Sequence, residues 1–269
     1  MININKIFKE INFKPSKRLG QNFLNNSEKT QTLITSWNLN KTDNILEIGP
    51  GLGSLTELLI SKVQNIVLVE KDLKLYAFLK SKFVSKTNVE IFNKDILNFD
   101  FQNKYQNKNF KVIGNLPFSS AVKILQWCFD NKKFFTDLYL SFSEEVANKI
   151  LDKKKSSFLS LICQSHSFFE QKNFIESIFF SPKPKINTSF IYFKLNSKKS
   201  IFDDQIFANF INSSFRNKRK TFINNLKSFS ILNLENIKQF LTNHKISLDI
   251  RAEDIDLLTF IEIYKFINK

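Results

Sequence analysis

The 269-residue sequence contains few of the residues that form cross-links or metal sites. Its two cysteines, Cys128 and Cys163, form no pair motif, and its only histidines are His166 and His244. We therefore expect neither a disulfide framework nor a metal site, and these four side chains are expected to pack in the interior or lie on the surface. Unpaired cysteines are typical of a reducing compartment, so a cytoplasmic protein is expected.

Long hydrophobic runs are also missing. No window approaches the roughly 18 consecutive apolar residues that a membrane-spanning helix needs. The first 18 residues are basic but lack the apolar core of a signal peptide. We expect no membrane association. The hydrophobic content of 42% predicts a folded chain with one main domain and a smaller appendage.

Acidic residues are scarce. The chain has 25 Asp and Glu against 40 Lys and Arg, which gives a net charge of +15 and a pI near 9.6. The excess is concentrated at 149–155 and at 212–227, and the second segment contains five basic residues and no acid. Such clustering favours nucleic-acid binding over a basic surface that serves only solubility, which remains the alternative.

Glycine, proline and arginine are rare, with five, five and four residues. The accompanying excess of Lys, Asn, Ile and Phe is typical of an AT-rich genome, so residues with GC-rich codons are expected mainly where they are needed. Glycine is needed where φ is positive or a ligand approaches closely, and arginine where a planar, forked donor is required. Nearly all of them fall in five short stretches, which are the candidate functional segments.

Strand-like and helical patterns alternate through the first two thirds of the chain. Strands are predicted at 44–48, 66–70, 88–92, 110–114, 137–142 and 188–195, and helices at 53–62, 73–83, 120–130 and 143–151. The alternation predicts an α/β fold with a doubly wound parallel sheet. Later patterns are all helical, at 203–215, 218–227, 234–242 and 254–268. We therefore predict two domains, 1–195 and 196–269.

Three of the five glycines lie in Glu47-Ile-Gly49-Pro-Gly51-Leu-Gly53, between a predicted strand and helix. They allow a tight turn and let backbone amides approach a ligand at the helix start. Glu70 ends the next strand, where a carboxylate can hold both hydroxyls of a ribose. The pattern predicts a nucleoside cofactor and leaves NAD and S-adenosylmethionine open. The alternative is that the glycines only form a structural turn and that Glu70 lies there by chance.

The segment Asn115-Leu-Pro-Phe118, after the fourth strand, favours one of these cofactors. The Asn115 side-chain oxygen and the Leu116 carbonyl can accept both hydrogens of an aromatic amine, which favours a pyramidal, nucleophilic nitrogen. Pro117 stiffens the turn, and Phe118 offers a face to a flipped base. A sulfonium methyl is a reactive electrophile, so the main requirement is that the amine and the methyl group are correctly oriented. The segment predicts methyl transfer to a base; an Asn that only shapes the turn is the alternative.

These motifs occur in a recognisable order. They are LGQNFL at 19–24, EIGPGLG at 47–53, acids at 70 and 95, NLPF at 115–118, SPKPK at 181–185, FRNKRKTFINNL at 215–226 and RAE at 251–253. From about residue 14 to the C-terminus, the chain resembles the KsgA-type ribosomal RNA small-subunit adenine N6-dimethyltransferase family. The resemblance implies a Rossmann-like S-adenosylmethionine-dependent methyltransferase domain with a small C-terminal α-helical RNA-binding domain.

The resemblance also implies a reaction and a partner. The reaction is N6,N6-dimethylation of two adjacent adenosines near the 3′ end of small-subunit rRNA during ribosome assembly. The partner is rRNA in pre-ribosomal small subunits, and a monomer is expected. Bacterial members usually have Tyr where this chain has Phe118, which keeps the stacking face without the hydroxyl. Ser119-Ser120 replaces the usual Asn-Ile-Ser run in the loop that follows.

Matching positions carry implied roles. Gln21 and Asn22 line the methionine end, Glu70 holds the ribose, and Asp95 and Ile96 contact the adenine of the cofactor. The full set of implied cofactor-binding positions is Gln21, Asn22, Leu24, Glu47, Gly49, Gly51, Gly53, Glu70, Lys71, Asp95, Ile96 and Asn115. The positions for the target base are Asn115, Leu116, Phe118 and Phe180, with Phe180 as the second stacking aromatic. The RNA-binding positions are Arg18, Lys183, Lys185, Arg216, Arg219 and Lys220.

Three alternatives remain. An enzyme of the antibiotic-resistance branch, which methylates large-subunit rRNA, is disfavoured by the LGQNFL and RAE segments. A non-catalytic nucleic-acid binder, such as a mitochondrial transcription factor related to this fold, is disfavoured by the intact Glu70, Asp95 and Asn115. A NAD oxidoreductase shares the glycine motif but explains neither NLPF nor the basic segments.

Overall fold

The computed structural model describes residues 4–16, 20–106, 108–196, 200–203, 205–227 and 233–268. The strands in these ranges are β1 (Phe23–Leu24), β2 (Asn44–Ile48), β3 (Asn65–Glu70), β4 (Val89–Asn93), β5 (Phe110–Gly114), β6 (Phe135–Ser143), β7 (Ser167–Ile175), β8 (Phe180–Ser181) and β9 (Thr188–Leu195). The helices are α1 (Ile4–Glu10), α2 (Ser27–Ser36), α3 (Ser54–Leu59), α4 (Leu73–Lys82), α5 (Phe101–Lys104), α6 (Ala121–Asp130), α7 (Glu144–Leu151), α8 (Phe158–His166), α9 (Gln205–Ser214), α10 (Phe222–Leu226), α11 (Leu234–Asn243) and α12 (Leu257–Ile267). Among the described residues, no helix combines the length and the apolar character needed to span a membrane.

The chain divides into two compact units. The first unit contains 1–147 and 169–195, and the second contains 148–168 and 196–269. One division lies between 195 and 196, and segment 148–168 groups with the helical unit and not with the rest of the predicted 1–195 domain. The reason is packing, because Leu161 of α8 lies in the same apolar cluster as Phe207 and Phe210 of α9. The predicted division into functional domains stays a prediction.

The first unit contains a seven-stranded sheet in the order β4-β3-β2-β5-β6-β9-β7. The five neighbouring strands β4, β3, β2, β5 and β6 pair in parallel, which confirms the predicted α/β fold. β9 pairs with β6 antiparallel, so the sheet is mixed at this edge and not wholly parallel. The chain moves outward from β2 to β4 and then returns to place β5 on the other side of β2. This reversal creates a crevice at the carboxyl ends of β2 and β5, where ligands bind in such sheets.

The central strands form because their residues are apolar on both faces. Ile45 and Leu46 of β2 and Val112 and Ile113 of β5 are fully buried, as expected when helices cover both sides of a parallel sheet. The apolar run in each strand is short and continuous, which is the pattern that predicted these elements. β7 is different, because five of its nine residues are polar or charged and most of its side chains are at least partly exposed.

The second unit is helical and has its own apolar core. Phe207, Phe210, Phe222 and Phe260 are fully buried in it. Predicted helices are confirmed here, and two of them start three or four residues later than predicted. α10 begins at 222 and not 218, because the Thr221 side chain caps it by accepting from the Asn224 backbone N–H. α12 begins at 257 and not at 254, because the Asp256 side chain caps it.

Candidate active site

A cavity of about 310 Å³ lies in the first unit at the carboxyl ends of β2, β3, β4 and β5. Its volume is within the range typical of small-molecule sites. The structure brings eleven of the twelve predicted cofactor positions to its lining, so segments far apart in sequence converge here. These are Gln21, Asn22, Leu24, Glu47, Gly49, Gly51, Glu70, Lys71, Asp95, Ile96 and Asn115. That they bind a cofactor stays a prediction.

The glycine turn adopts the backbone conformation that its sequence predicts. Gly49, Gly51 and Gly53 have φ values of +64°, +60° and +75°, a region that other residues rarely adopt. A Cβ added at Gly49 would meet no atom within 4 Å, so its backbone faces open space. Gly53, which was predicted to bind the cofactor, does not line the cavity. A Cβ there would lie 2.9 Å from the Phe83 ring, so this glycine provides room for packing under α3.

Glu70 is fixed by the backbone on two sides. Its Oε2 accepts from the Gly51 N–H at 3.1 Å, and its Oε1 accepts from the Asp72 N–H at 2.8 Å. The residue is 5% exposed, and this burial raises the pKa of Glu70 to about 6. The side chain is therefore mostly ionised at neutral pH. Each carboxylate oxygen keeps a further lone pair that can accept from a hydroxyl.

Glu47 is the second buried carboxyl of the cavity. It is 1% exposed, and its Oε2 accepts from the Thr56 hydroxyl at 2.7 Å. Burial raises the pKa of Glu47 to about 7, and the nearby Glu70 adds to the effect while the Thr56 bond opposes it. Near neutral pH this group is divided between its protonated and ionised forms.

The folded pKa values of Glu47 and Glu70 lie above the value of 4.5 that is normal for glutamate. Their contribution to stability is therefore fully present below the normal pKa and is lost as pH rises through 6 and 7. Glu47→Gln keeps an acceptor for Thr56 and removes the titration. We expect this change to raise the free energy of unfolding by roughly 2–3 kcal/mol at about pH 8 and to change it little at about pH 4.5.

Urea unfolding of the unliganded protein at both pH values measures this difference. Glu57→Gln is the matched control, because Glu57 is 43% exposed and forms an ion pair with Lys82 outside the cavity. An equal effect of Glu47→Gln at the two pH values would contradict the buried titration.

Asp95 lines the cavity and follows β4. Its Oδ2 accepts from Lys71 Nζ at 2.8 Å, and its Oδ1 accepts from the Leu97 N–H at 3.1 Å. Partial burial acts to raise the pKa of Asp95, but the hydrogen bonds from Lys71 and Leu97 outweigh it and lower the pKa. An ionised carboxylate in this place is a suitable acceptor for an exocyclic amine.

Asn115 follows β5 and lines the cavity with its side chain held on both sides. Its Nδ2 donates to the Asn22 carbonyl at 3.1 Å, and its Oδ1 accepts from the Ser141 hydroxyl at 3.4 Å. Ser141 Oγ in turn accepts from the Leu116 N–H at 2.7 Å. The sequence predicted Asn115 and Leu116 but not Ser141, because a serine inside a buried strand carries no recognisable pattern.

Three predicted base-binding residues do not line the cavity. The Leu116 side chain is 3% exposed and packs inward, so only its backbone can serve a ligand. Phe118 is half-buried beside the lining residue Pro117. Phe180 is 3% exposed and packs in the main core, where β8 pairs with β1. Its ring therefore presents no open face for stacking in this structure.

Five of the six predicted RNA-binding residues are described, and they lie on the surface of one unit or the other. Lys183 and Lys185 are exposed in the first unit. Arg216, Arg219 and Lys220 are exposed in the second unit, between α9 and α10. Arg18 is outside the described residues.

The helical unit contains a second cavity, of about 200 Å³. Asn225 shapes one wall, because its side chain bonds both the N–H and the carbonyl of Asn217 at 3.0 Å. Of the basic residues in the lining, the sequence assigned an RNA role only to Lys220. The rarity of arginine is the signal that could have added Arg251. The charged lining residues are Lys149, Lys155, Lys218, Lys220, Arg251, Asp152 and Glu253.

Solved structures of RNA-modifying enzymes share this fold. A dimethyladenosine transferase from Plasmodium falciparum superposes with a TM-score of 0.75 at 19% identity, covering 91% of this chain and 97% of that one. The 23S rRNA methyltransferase ErmE superposes with a TM-score of 0.71 at 17% identity, covering 92% of this chain and 100% of that one. At such identities the likeness concerns the fold alone.

Sequence comparison gives the family. Residues 12–269 match the family model described as Ribosomal RNA adenine dimethylase. A Ribosomal RNA small subunit methyltransferase A of Fusobacterium nucleatum is 34% identical over 259 residues, covering 94% of this chain and 97% of the relative. The protein of the same name from Ureaplasma urealyticum is 32% identical over 275 residues, covering 97% of this chain and 95% of the relative. Because these matches span nearly the whole chain, the chain belongs to the ribosomal RNA adenine dimethylase family.

Proposed function

We propose that this chain transfers methyl groups to N6 of two adjacent adenosines near the 3′ end of small-subunit rRNA, in pre-ribosomal small subunits during ribosome assembly. Membership of the ribosomal RNA adenine dimethylase family supports the reaction, and the names of the relatives support the subunit. The observation that carries the proposal is the convergence of Glu70, Asp95 and Asn115 on one cavity. We also propose that it acts as a monomer in the cytoplasm.

The methyl donor of this family is S-adenosylmethionine, and the cavity fits it. Glu70 can accept from two ribose hydroxyls, and Asp95 can accept from the adenine amine. The amides of Gln21 and Asn22 lie at the same cavity and suit the amino-acid end. The open space over Gly49 lets a ligand reach the backbone closely. When bound, the cofactor supplies an electrophilic methyl group on a sulfonium sulfur.

The residues of this chain orient the target amine. Asn115 Oδ1 accepts one amine hydrogen and the Leu116 carbonyl accepts the other, which favours the pyramidal nitrogen that the transition state requires. Because Asn115 Nδ2 is engaged by the Asn22 carbonyl, the oxygen of the amide is the end left for the substrate. Once methylated, the nitrogen is positively charged and loses its proton readily, so no strong base is needed. We propose that Phe118 stacks on the base.

We propose that RNA backbone phosphates bind the helical unit at Arg216, Arg219 and Lys220. The second cavity extends this basic surface, because it contains Lys220 together with Arg251. Two arginines preserved in a lysine-rich chain suggest bidentate phosphate contacts, which lysine cannot make. Lys183 and Lys185 are proposed as further contacts in the first unit.

Replacing both Arg216 and Arg219 with alanine is expected to weaken binding to immature small subunits and to reduce the slope of log affinity against log salt by about two units. The reason is that two fewer phosphates release counterions on binding. Filter binding at several salt concentrations measures the slope. The matched control is Lys80→Ala with Lys86→Ala, which removes the same charge from exposed positions of the first unit. Equal slopes in the two double variants would show that the two arginines contribute only general positive charge and no specific phosphate contacts.

Primer extension on both rRNAs tests the choice of subunit. Dimethylation of N6 blocks base pairing, so reverse transcription is expected to stop at adjacent adenosines near the 3′ end of small-subunit rRNA. Stops confined to large-subunit rRNA would instead place the chain with the resistance enzymes.

A further inference from the structure

A buried serine lies behind the segment that faces the target base. Ser141 is on β6 and is fully buried. Its neighbour Leu140 pairs with Gly114, the last residue of β5, so Ser141 lies beside the residues that follow β5. Its hydroxyl bonds both of the first two residues of the Asn115-Leu-Pro-Phe118 segment.

The two bonds use the hydroxyl in opposite senses. The oxygen accepts from the Leu116 N–H at 2.7 Å, and the hydrogen is donated to Asn115 Oδ1 at 3.4 Å. A serine hydroxyl has one hydrogen and two lone pairs, so it can serve both partners at once. An amide oxygen has two lone pairs, and after bonding Ser141 the Asn115 oxygen keeps one for the target amine.

Asn22 fixes the other end of the same amide. Its carbonyl accepts from Asn115 Nδ2 at 3.1 Å, so a flipped amide would place two acceptor oxygens against each other. Close packing adds to this rigidity. A Cβ added at Gly114 would lie 2.6 Å from Leu116 Cδ2, which shows that the Leu116 side chain folds back tightly against the strand end.

We infer that Ser141 is a positioning residue for methyl transfer: it holds the Asn115 amide and the Leu116 backbone so that both acceptors point at the target amine. The inference rests on the proposed function, because it gives Ser141 a role through Asn115 and Leu116. Ser141 itself touches no cavity-bound group, since it does not line the cavity. Preorganised groups of this kind act mainly on kcat.

The test compares Ser141→Ala with Ser143→Ala. Ser143 is a matched control, because it lies on the same strand, is 7% exposed and accepts a backbone N–H from Val146 at 3.4 Å. With saturating cofactor and immature small subunits, Ser141→Ala is expected to lower kcat about tenfold, with KM and cofactor affinity nearly unchanged. Ser143→Ala is expected to keep the parent's kcat. Ser141→Cys, which fills the space of the hydroxyl with a somewhat larger sulfur but weakens both hydrogen bonds, is expected to lower kcat as Ser141→Ala does, which would exclude a cavity as the cause.

A double-mutant cycle shows whether Ser141 acts through Asn115. In an Asn115→Ala background, Ser141→Ala should cause a clearly smaller further loss of rate than in the parent, because one of its two targets is gone and only the Leu116 backbone is left to hold. The same tenfold loss in both backgrounds, or an unchanged kcat in Ser141→Ala, would overturn the inference.

A second readout needs neither cofactor nor RNA. The NMR signal of the Leu116 amide proton should move upfield in Ser141→Ala, and its exchange should become about tenfold faster relative to other amides of β5. Ser143→Ala should leave it unchanged. An unaltered Leu116 signal in Ser141→Ala would contradict the hydrogen bond from the Leu116 N–H to Ser141 Oγ. If the parent transfers no methyl group, the proposed function fails, while this signal still reports whether Ser141 holds Leu116.

Discussion

Replacing Asn115 with alanine is expected to lower single-turnover methyl transfer to immature small subunits by on the order of 10²–10³-fold. The Asn115 oxygen gains importance as the amine nitrogen becomes pyramidal, so the loss falls on the transition state and not on binding. Affinity for the subunit should change little, because basic residues elsewhere supply most of it.

Thermal melts separate this loss from a structural effect. Asn115→Ala also removes the bond to the Asn22 carbonyl, which is expected to cost about 1 kcal/mol of stability. Asn131→Ala is the matched control, because the Asn131 side chain likewise donates to a backbone carbonyl, that of Trp127, at 2.9 Å. If both variants melt at similar temperatures and transfer methyl groups at the parent's rate, Asn115 only shapes its turn.

Replacing Glu70 with glutamine is expected to lower the affinity for S-adenosylmethionine at least about tenfold at pH 8. The carboxylate can accept two ribose hydroxyls besides its two backbone N–H groups, and an amide has one acceptor oxygen for all four. In the parent, affinity should also fall as pH drops below about 6, because Glu70 becomes protonated there. Isothermal calorimetry across this pH range measures both effects.

The choice of glutamine follows from the structure. Alanine is unsuitable here, because it would leave the N–H groups of Gly51 and Asp72 without their partner, at roughly 1–3 kcal/mol each. Glu57→Gln serves as the control outside the cavity. Unchanged cofactor affinity in Glu70→Gln would refute the ribose role, and tight NADH binding by the parent would favour an oxidoreductase.

The sequence predicted the central sheet well, because buried parallel strands are continuous apolar runs. Elements at the edges were missed for the opposite reason. In β7 the four consecutive polar residues 170–173 separate two short apolar pairs, 168–169 and 174–175, so no run stands out. In α2 only Leu33 and Ile34 form an apolar pair, and the capping bond from Lys29 N–H to Asn26 is visible only in the structure.

The site residues were predictable where they lie at the ends of predicted strands. Glu70, Asp95 and Asn115 each follow or end a predicted strand, so topology alone brings them together. Phe180 and Gly53 were assigned by resemblance, and their surroundings depend on packing that a single sequence does not reveal. Ser141 illustrates the same limit, because its contact with Asn115 arises from the register between β5 and β6.

The proposed RNA-binding surface was predictable as charge but not as shape. The basic run at 216–220 is evident in the sequence. The cavity that it helps to form also takes residues from 149–157 and 251–253, which are distant along the chain. The segment 149–157 belongs to the helical unit, in which α8 packs and Lys155 pairs with Glu253, and α8 was not predicted.

The most direct test is mass spectrometry of rRNA from immature subunits incubated with the protein and isotopically labelled S-adenosylmethionine. The proposed function predicts label in N6,N6-dimethyladenosine at two adjacent positions near the 3′ end of small-subunit rRNA, and none in large-subunit rRNA. A protein that binds these subunits but transfers no label would contradict it, and would indicate an assembly or transcription factor built on a methyltransferase fold.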